Sequence, residues 1–218
     1  MTAVNLSPDE LLSTTRSVRL RLDLTRPVAR SLIEECFDLA QQAPSGGNRQ
    51  GWSFVVVTDP DKRRALGALY KQGWDAYLQA ISAQARVAAE APAMPSRDAL
   101  RVYRSAQYLA DHMGEAPVLV VPCINGRTDD AGIAEQASRW GSILPAVWSF
   151  MLAARARGLG TCWTTLHLRH EREAADLLGI PYDEVMQAAL IPVAHTIGEE
   201  FRPGPRRPLD TMVRWEQW

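Results

Sequence analysis

The sequence predicts a single α+β domain, on three observations. Four apolar runs of strand length stand between prolines, glycines or aspartates, at residues 52–57, 116–124, 159–166 and 185–194. Stretches with apolar residues at helical spacing separate them. No change of composition, repeat or low-complexity tract divides the 218 residues, a length that can bury a sizeable core, so the domain is taken as 1–218.

The elements follow in order. Ser7-Pro8-Asp9-Glu10 starts a helix, with Ser7 as cap, proline in the first turn and Glu10 completing a capping box; it should end near Thr14 to Arg16. From Ser17 to Leu22 polar and apolar residues alternate, which predicts a short extended segment with Ser17, Arg19 and Arg21 on one side. That basic side is either a solvated strand edge or an anion site, since guanidinium forks beside a hydroxyl suit a phosphate. Pro27 to Gln42 carries Val28, Leu32, Ile33, Cys36, Phe37 and Ala40 at helical spacing. It leads into Ala-Pro-Ser-Gly-Gly-Asn-Arg-Gln-Gly-Trp at residues 43–52. Here glycine allows close approach of a ligand, and Pro44, Ser45, Asn48 and Gln50 bend the chain or offer neutral hydrogen-bonding groups. Such a string suits a flat polar ligand, although by itself it is most often a solvated turn.

Trp52 to Val57 reads as a buried strand, and Asp59-Pro60-Asp61 restarts a helix through Leu69. Lys71 to Ala91 is helical in propensity, Pro92 and Pro95 interrupt it, and Arg97 to Met113 is helical again. Residues 70–115 are expected to form a variable helical region or lid. Ala116 to Ile124 is the most apolar run and reads as a central strand, followed by a polar loop from Asn125 to Gly132. Ser138 to Arg157 is a long helical pattern, apolar around most of its circumference despite Pro145, so it should be buried on several sides or lie at a subunit interface. Arg155 and Arg157 favour its carboxyl end and Gly158 stops it. A strand from Leu159 to Leu166, a short helix from Arg169 to Leu178 and a strand from Val185 to Ala194 complete the core. The proline-rich tail, 200–218, should be extended, with Trp215 and Trp218 needing a surface such as a partner subunit.

Composition excludes several functions. A net charge of -1 argues against bulk electrostatic binding of nucleic acid. No apolar run approaches membrane-spanning length and no signal pattern opens the chain, so a cytoplasmic location without membrane attachment is expected. Cys36, Cys123 and Cys162 are widely spaced, and His167 and His170 lack further ligands in sequence, so neither a disulfide framework nor a metal site is indicated.

Four pieces in order, Arg16-Ser17-Val18-Arg19, the 43–52 segment, Ala153 with Gly158-Leu159-Gly160-Thr161-Cys162-Trp163, and Arg207-Pro208-Leu209, resemble the flavin-dependent nitroreductase family. The resemblance spans nearly the whole chain. It implies a three-layer α/β/α fold with a central mixed, mainly antiparallel sheet, an intertwined homodimer and flavin mononucleotide (FMN) at the subunit boundary. On that basis Arg16, Ser17 and Arg207 look like contacts to the phosphate and ribityl chain. Arg19 is placed on the same phosphate or the pyrimidine edge of the ring. Pro44, Ser45, Asn48 and Gln50 look like contacts to the ring and ribityl group, of the flavin bound mainly by the other subunit. Gly160 and Thr161 would offer backbone groups to the ring. Where the family often has an arginine this chain has Thr15, a loss for which Arg206 is the candidate compensation, and it has Gly51 where a proline is common. Lys71 is a second candidate, after Arg19, for the ring edge, and a candidate for substrate contact. No side chain is expected to act as catalytic acid, base or nucleophile. The activity implied is ping-pong hydride transfer from NAD(P)H through flavin N5 to a nitroaromatic, quinone or similar small acceptor. The alternatives are an oxygen-using or dehalogenating relative, or a flavin-binding or storage protein without turnover. No Gly-x-Gly-x-x-Gly loop is present, so the nicotinamide donor would bind transiently.

Overall fold

The structure is a computed structural model in which residues 4–87 and 97–218 are described. Its first helix, α1 (Pro8–Thr14), has both bonds of the capping box: Glu10 N–H donates to Ser7 Oγ, and Ser7 N–H donates to the Glu10 carboxylate. The expected extended run after it is broken, because Leu22 N–H closes a turn on the Arg19 carbonyl. Only Leu22–Asp23 forms a strand, β1. Val18 and Leu22 are buried while Leu20 is exposed, so the turn takes Leu20 out of the alternation that the sequence suggested.

Helix α2 (Arg30–Ala40) starts three residues later than expected, and β2 (Trp52–Val57) has the expected bounds. The strand is not buried on all sides. It pairs only with β3 (Val118–Asn125), in antiparallel register, and Ser53 and Val56 are exposed, so within one chain it is a sheet edge. The two helical stretches expected after it are one helix, α3 (Pro60–Val87); the breaks expected at Pro92 and Pro95 lie outside the described residues. Helix α4 (Arg97–His112) packs back on α3, where Trp74 donates to Gln107 at 2.8 Å.

Helix α5 (Ile133–Ala156) begins five residues before the expected start and runs through Pro145. One proline removes a single intrahelical bond, a loss that burial of Ile143, Ala146, Val147, Phe150 and Met151 outweighs. The next strand, β4, is only Leu159–Thr161; beyond it the chain turns into 3₁₀ geometry at Leu166–His170 and then α6 (Glu171–Leu178), closed by Gly179 in the left-handed region. The last apolar run is two strands, β5 (Val185–Gln187) and β6 (Ile191–Thr196). Both pair with β3, Gln187 opposite Cys123 and Ile191 opposite Val120, so Ala188, Ala189 and Leu190 face only Val121 and Pro122. This is a one-residue bulge at a proline that has no N–H to donate.

All pairings between these strands are antiparallel, and an isolated parallel bridge joins Ser17 to Thr161. The sheet is therefore mixed and mainly antiparallel. Period-2 alternation along β3 then builds both sides of the core. Val118, Val120 and Ile124 join the layer formed by α2 and α5; Leu119, Val121 and Cys123 join the layer formed by α3, α4 and α6. The result is a three-layer α/β/α domain. Among the described residues no helix is long and apolar enough to cross a membrane. The tail is irregular apart from one 3₁₀ turn at Leu209–Thr211, and Leu209, Met212, Trp215 and Trp218 are exposed.

Candidate functional site

The carboxyl end of α1 releases the chain at Thr15, and the next residues are pinned by the sheet: Val18 N–H donates to the Thr161 carbonyl at 2.9 Å. This seats Arg16, Ser17 and Arg19 beside Gly160 and Thr161. From the other end of the chain, residues 197–206 come to the same place. Arg21 donates to the carbonyls of Ile197 and Glu200, both at 2.7 Å, and lies over the Phe201 ring with 4.0 Å to the centroid. Arg155 donates to the Glu199 carbonyl at 2.9 Å and sits 4.7 Å from the centroid of the same ring. Arg155 is only 3% exposed and its Nε and Nη1 lack partners among the described residues. Arg155 stands in the last turn of α5 as expected, on the buried stripe with Val147 and Met151, one turn apart each, and its side chain also holds the tail.

The cleft so formed has a volume of about 550 Å³, within the roughly 300 to 1,000 Å³ of small-molecule sites. Arg16, Ser17, Arg19 and Arg21 line one wall, Glu200 to Pro203 and Pro205 another, and Arg101, Val102 and Ser105 of α4 a third. Arg16 donates to the Arg202 carbonyl at 2.8 Å. A Cβ built on Gly204 would stand 2.7 Å from Nη1 of Arg16 and 2.7 Å from Nη1 of Arg206, so two guanidinium groups close on one point that only glycine leaves free. No ion pair to a carboxylate is found for Arg16, Arg19, Arg21 or Arg206 among the described residues, which leaves the cleft strongly positive. Arg19 reaches Ser105 Oγ at 3.5 Å. Beneath it Cys162 is buried, and burial pushes its thiol up, with Arg19 and Ser17 opposing; Tyr70, also buried, is pushed up to about 12. The floor is thus neutral and the walls cationic.

The remaining candidates are distributed as follows. Arg207 is exposed, and it is its neighbour Arg206 whose guanidinium closes with that of Arg16 on Gly204. Lys71 lies outside this cleft, in a second one with Arg64, Asp111 and Glu115, where it pairs with Asp75 at 2.6 Å. Pro44, Ser45, Asn48 and Gln50 belong to a loop held by α5: Gly46 N–H donates to Ser142 Oγ at 3.0 Å. Ser45 Oγ accepts from Gln50 N–H, and Gln50 Nε2 donates to Asn48 Oδ1, each at 3.0 Å. Gly47, Asn48 and Gln50 have φ of 59°, 53° and 49°, and two non-glycine residues in the left-handed region within three positions store strain of the kind found at binding loops. None of the four lines the arginine cleft of the same chain. The sequence reading missed Phe201, Arg202 and the α4 residues. The Phe201 signal was available, an aromatic directly after an acidic turn; nothing local marks Arg101 or Ser105.

The donor set suits a phosphate monoester at the Arg16 and Arg206 end: two guanidinium groups, the Ser17 hydroxyl, and no competing ion-paired carboxylate. Comparisons with known proteins bear on the family and the fold. The model of the nitroreductase family matches residues 12–195. A protein named NADH dehydrogenase from Thermus thermophilus is 29% identical over 205 residues, covering 87% of this chain and 87% of that one. The FMN and NADPH-dependent nitroreductase NfnB from sphigopyxis sp. strain HMH superposes with a TM-score of 0.68 at 25% identity, covering 98% and 100% of the two chains. A BluB-like flavoprotein from Clostridium difficile 630 superposes at 0.71 with 18% identity over 98% and 100%, a likeness of fold.

Proposed function

Because the chain belongs to the nitroreductase family, we propose that it is an FMN-dependent oxidoreductase that passes electrons from NAD(P)H to a small acceptor such as a nitroaromatic or quinone. The chemistry such a group supplies is hydride exchange at N5, donor first and acceptor second on one exposed face, in a ping-pong sequence. The chain supplies binding and electrostatics. Arg16, Arg206 and the Ser17 hydroxyl hold the phosphate, and Arg19 lies on the side of the pyrimidine edge. Gly160 and Thr161 offer backbone groups beside them. Arg21, Phe201 and Arg155 fix the start of the tail so that Arg206 arrives opposite Arg16.

The observation that carries this reading is the meeting of Arg16 and Arg206 at Gly204, from opposite ends of the chain, with no carboxylate partner among the described residues. A homodimer supports it further. The strained loop of Pro44, Ser45, Asn48 and Gln50 lines no part of its own arginine cleft, which fits service to the partner's cofactor. The exposed Leu209, Met212, Trp215 and Trp218 give the tail an apolar surface to cover. The test is the absorbance spectrum of the purified protein with the released chromophore identified by mass, followed by NADH and NADPH oxidation in the presence of menadione. A yellow protein releasing FMN and turning over a quinone is expected. A yellow protein that oxidises neither nucleotide with any acceptor favours flavin storage, and a protein that cannot be loaded rejects both.

A further inference from the structure

The start of the tail is tied to the domain by side chains, not by its own backbone amides. Ile197 N–H donates to the Arg21 carbonyl, and the next backbone bond along the tail, Thr211 N–H to the Pro208 carbonyl, is local; among the described residues no amide between them donates to another backbone carbonyl. What holds this segment is guanidinium groups of the body reaching its carbonyls: Arg21 to Ile197 and Glu200, Arg155 to Glu199, and Arg16 to Arg202. Phe201 sits in the middle of that row, packed on the core, with Arg21 and Arg155 over its ring. Bonds to carbonyls leave every one of these charges in place.

The closed arrangement therefore gathers like charges. Arg21 and Arg155 share one aromatic ring, and two nitrogens of the buried Arg155 lack partners among the described residues. At Gly204 the guanidinium of Arg206, carried by the tail, comes up to that of Arg16, carried by the body. Arg206 donates to the carbonyl of its own neighbour, Pro205, at 2.9 Å, a bond that ties the tail to nothing. Two converging cations with no carboxylate between them push the tail outward; a phosphate dianion between them reverses the sign and adds charge-assisted links from tail to body. An anion that binds the closed tail better than the open one shifts the population by that difference.

We propose that residues 198–206 form a strap that opens in the absence of an anion and is closed by a phosphate group bridging Arg16 and Arg206. The proposal rests on the FMN-dependent reading above only for the molecule that carries the phosphate. Because Glu200 to Pro203 and Pro205 form a wall of the cleft, closing the strap completes that wall around the cofactor. The exposed apolar residues beyond Pro208 then start from a fixed point in the loaded protein.

Phe201 reports on the strap from outside the phosphate contacts. The chain has four phenylalanines, and the other three meet on the opposite side of the sheet, where Phe37 contacts Phe54 and Phe150. In full-length protein labelled with fluorophenylalanine, the fluorine resonance absent from Phe201→Leu belongs to Phe201, and its open and closed populations can be read directly. They are compared without added anion, with FMN, with riboflavin at concentrations where its fluorescence shows it bound, with inorganic phosphate, and with chloride at matched ionic strength. FMN and inorganic phosphate should each raise the closed-to-open ratio at least about tenfold, riboflavin and chloride less than about twofold. Arg206→Gln keeps every bond that ties the strap to the body and removes one converging charge. Without phosphate it should be more closed than the unaltered protein, and adding phosphate should change it less than about twofold. A riboflavin response equal to that of FMN, phosphate acting no more than chloride, or a strap more open in Arg206→Gln would overturn the proposal and leave the FMN reading standing. A protein that binds no flavin yet closes on inorganic phosphate would end the FMN reading and keep the strap.

Discussion

Arg127 and Arg16 show two ways in which this fold uses a guanidinium. Arg127, which follows β3, is surrounded by acceptors: both oxygens of Glu171, at 3.3 and 2.8 Å, Asp129 at 2.6 Å, the Tyr182 carbonyl at 2.9 Å and the face of the Tyr182 ring. Its charge is cancelled locally, and Glu171 above all holds it protonated. Arg16 has a carbonyl as its partner and another cation beside it. A carbonyl orients a guanidinium without neutralising it, so that region keeps a net charge for a ligand to meet. The first arrangement is scaffold and the second is the proposed phosphate site, and the difference lies in the partner's charge, not in the arginine.

The contrast can be broken most directly at the site. Arg16→Ala combined with Arg206→Ala should weaken FMN binding by at least about 100-fold, since each charge-assisted bond contributes roughly 1.5 to 3 kcal/mol. Fluorescence titration with FMN reads this, and the melting temperature of the apo-protein should hardly move. The reciprocal change is Arg127→Met, which leaves the half-buried Glu171 carboxylate with the Gln187 N–H but no cation and should cost about 3 kcal/mol of stability, or roughly 6 to 12 °C. Denaturant midpoints measure it, and a variant that also lost its flavin would show that the two clusters are not separate.

A third test concerns what adjoins the scaffold cluster. His167 is fully buried, and neither ring nitrogen has a partner within bonding geometry among the described residues, although Gln187 stands close enough to oppose the shift weakly. Burial pushes it down to about 4 from an ordinary 6.5, so the folded state holds it neutral. Its folded pKa lies below the unfolded one, so protonation favours unfolding. The stability it permits is complete above about pH 6.5 and is lost progressively toward pH 4. Melting curves at pH 7 and 4.5 should show a smaller acid loss in His167→Leu than in the unaltered protein. The smallest effect belongs to Ser7→Ala, which removes the cap of the helix that leads to Arg16 and should cost about 1 kcal/mol without changing FMN affinity beyond twofold.

Local chemistry was legible where a side chain acts on its own neighbourhood. The capping box at Ser7, the left-handed stop at Gly179 and the central apolar strand around Val120 are decided within a few residues, and each formed as read. The run from Val185 to Ala194 was misread as one strand because the reason for its break, Pro122, lies on the partner strand more than sixty positions earlier. The turn at Arg19 escaped for a similar cause. Val18 and Leu22 are both buried, and the turn between them, closed by Leu22 N–H on the Arg19 carbonyl, leaves Leu20 outside.

By itself, then, the sequence determined the class of the fold, most of its helices and the basic motif at Arg16, because propensity, capping and apolar spacing act over short distances. Only the tertiary structure decided that Arg206 stands with Arg16 at Gly204, that Lys71 is drawn to Asp75, and that Arg155 and Arg21 grip Phe201. Those outcomes depend on where the sheet delivers residues nearly two hundred positions apart, and no local preference encodes that.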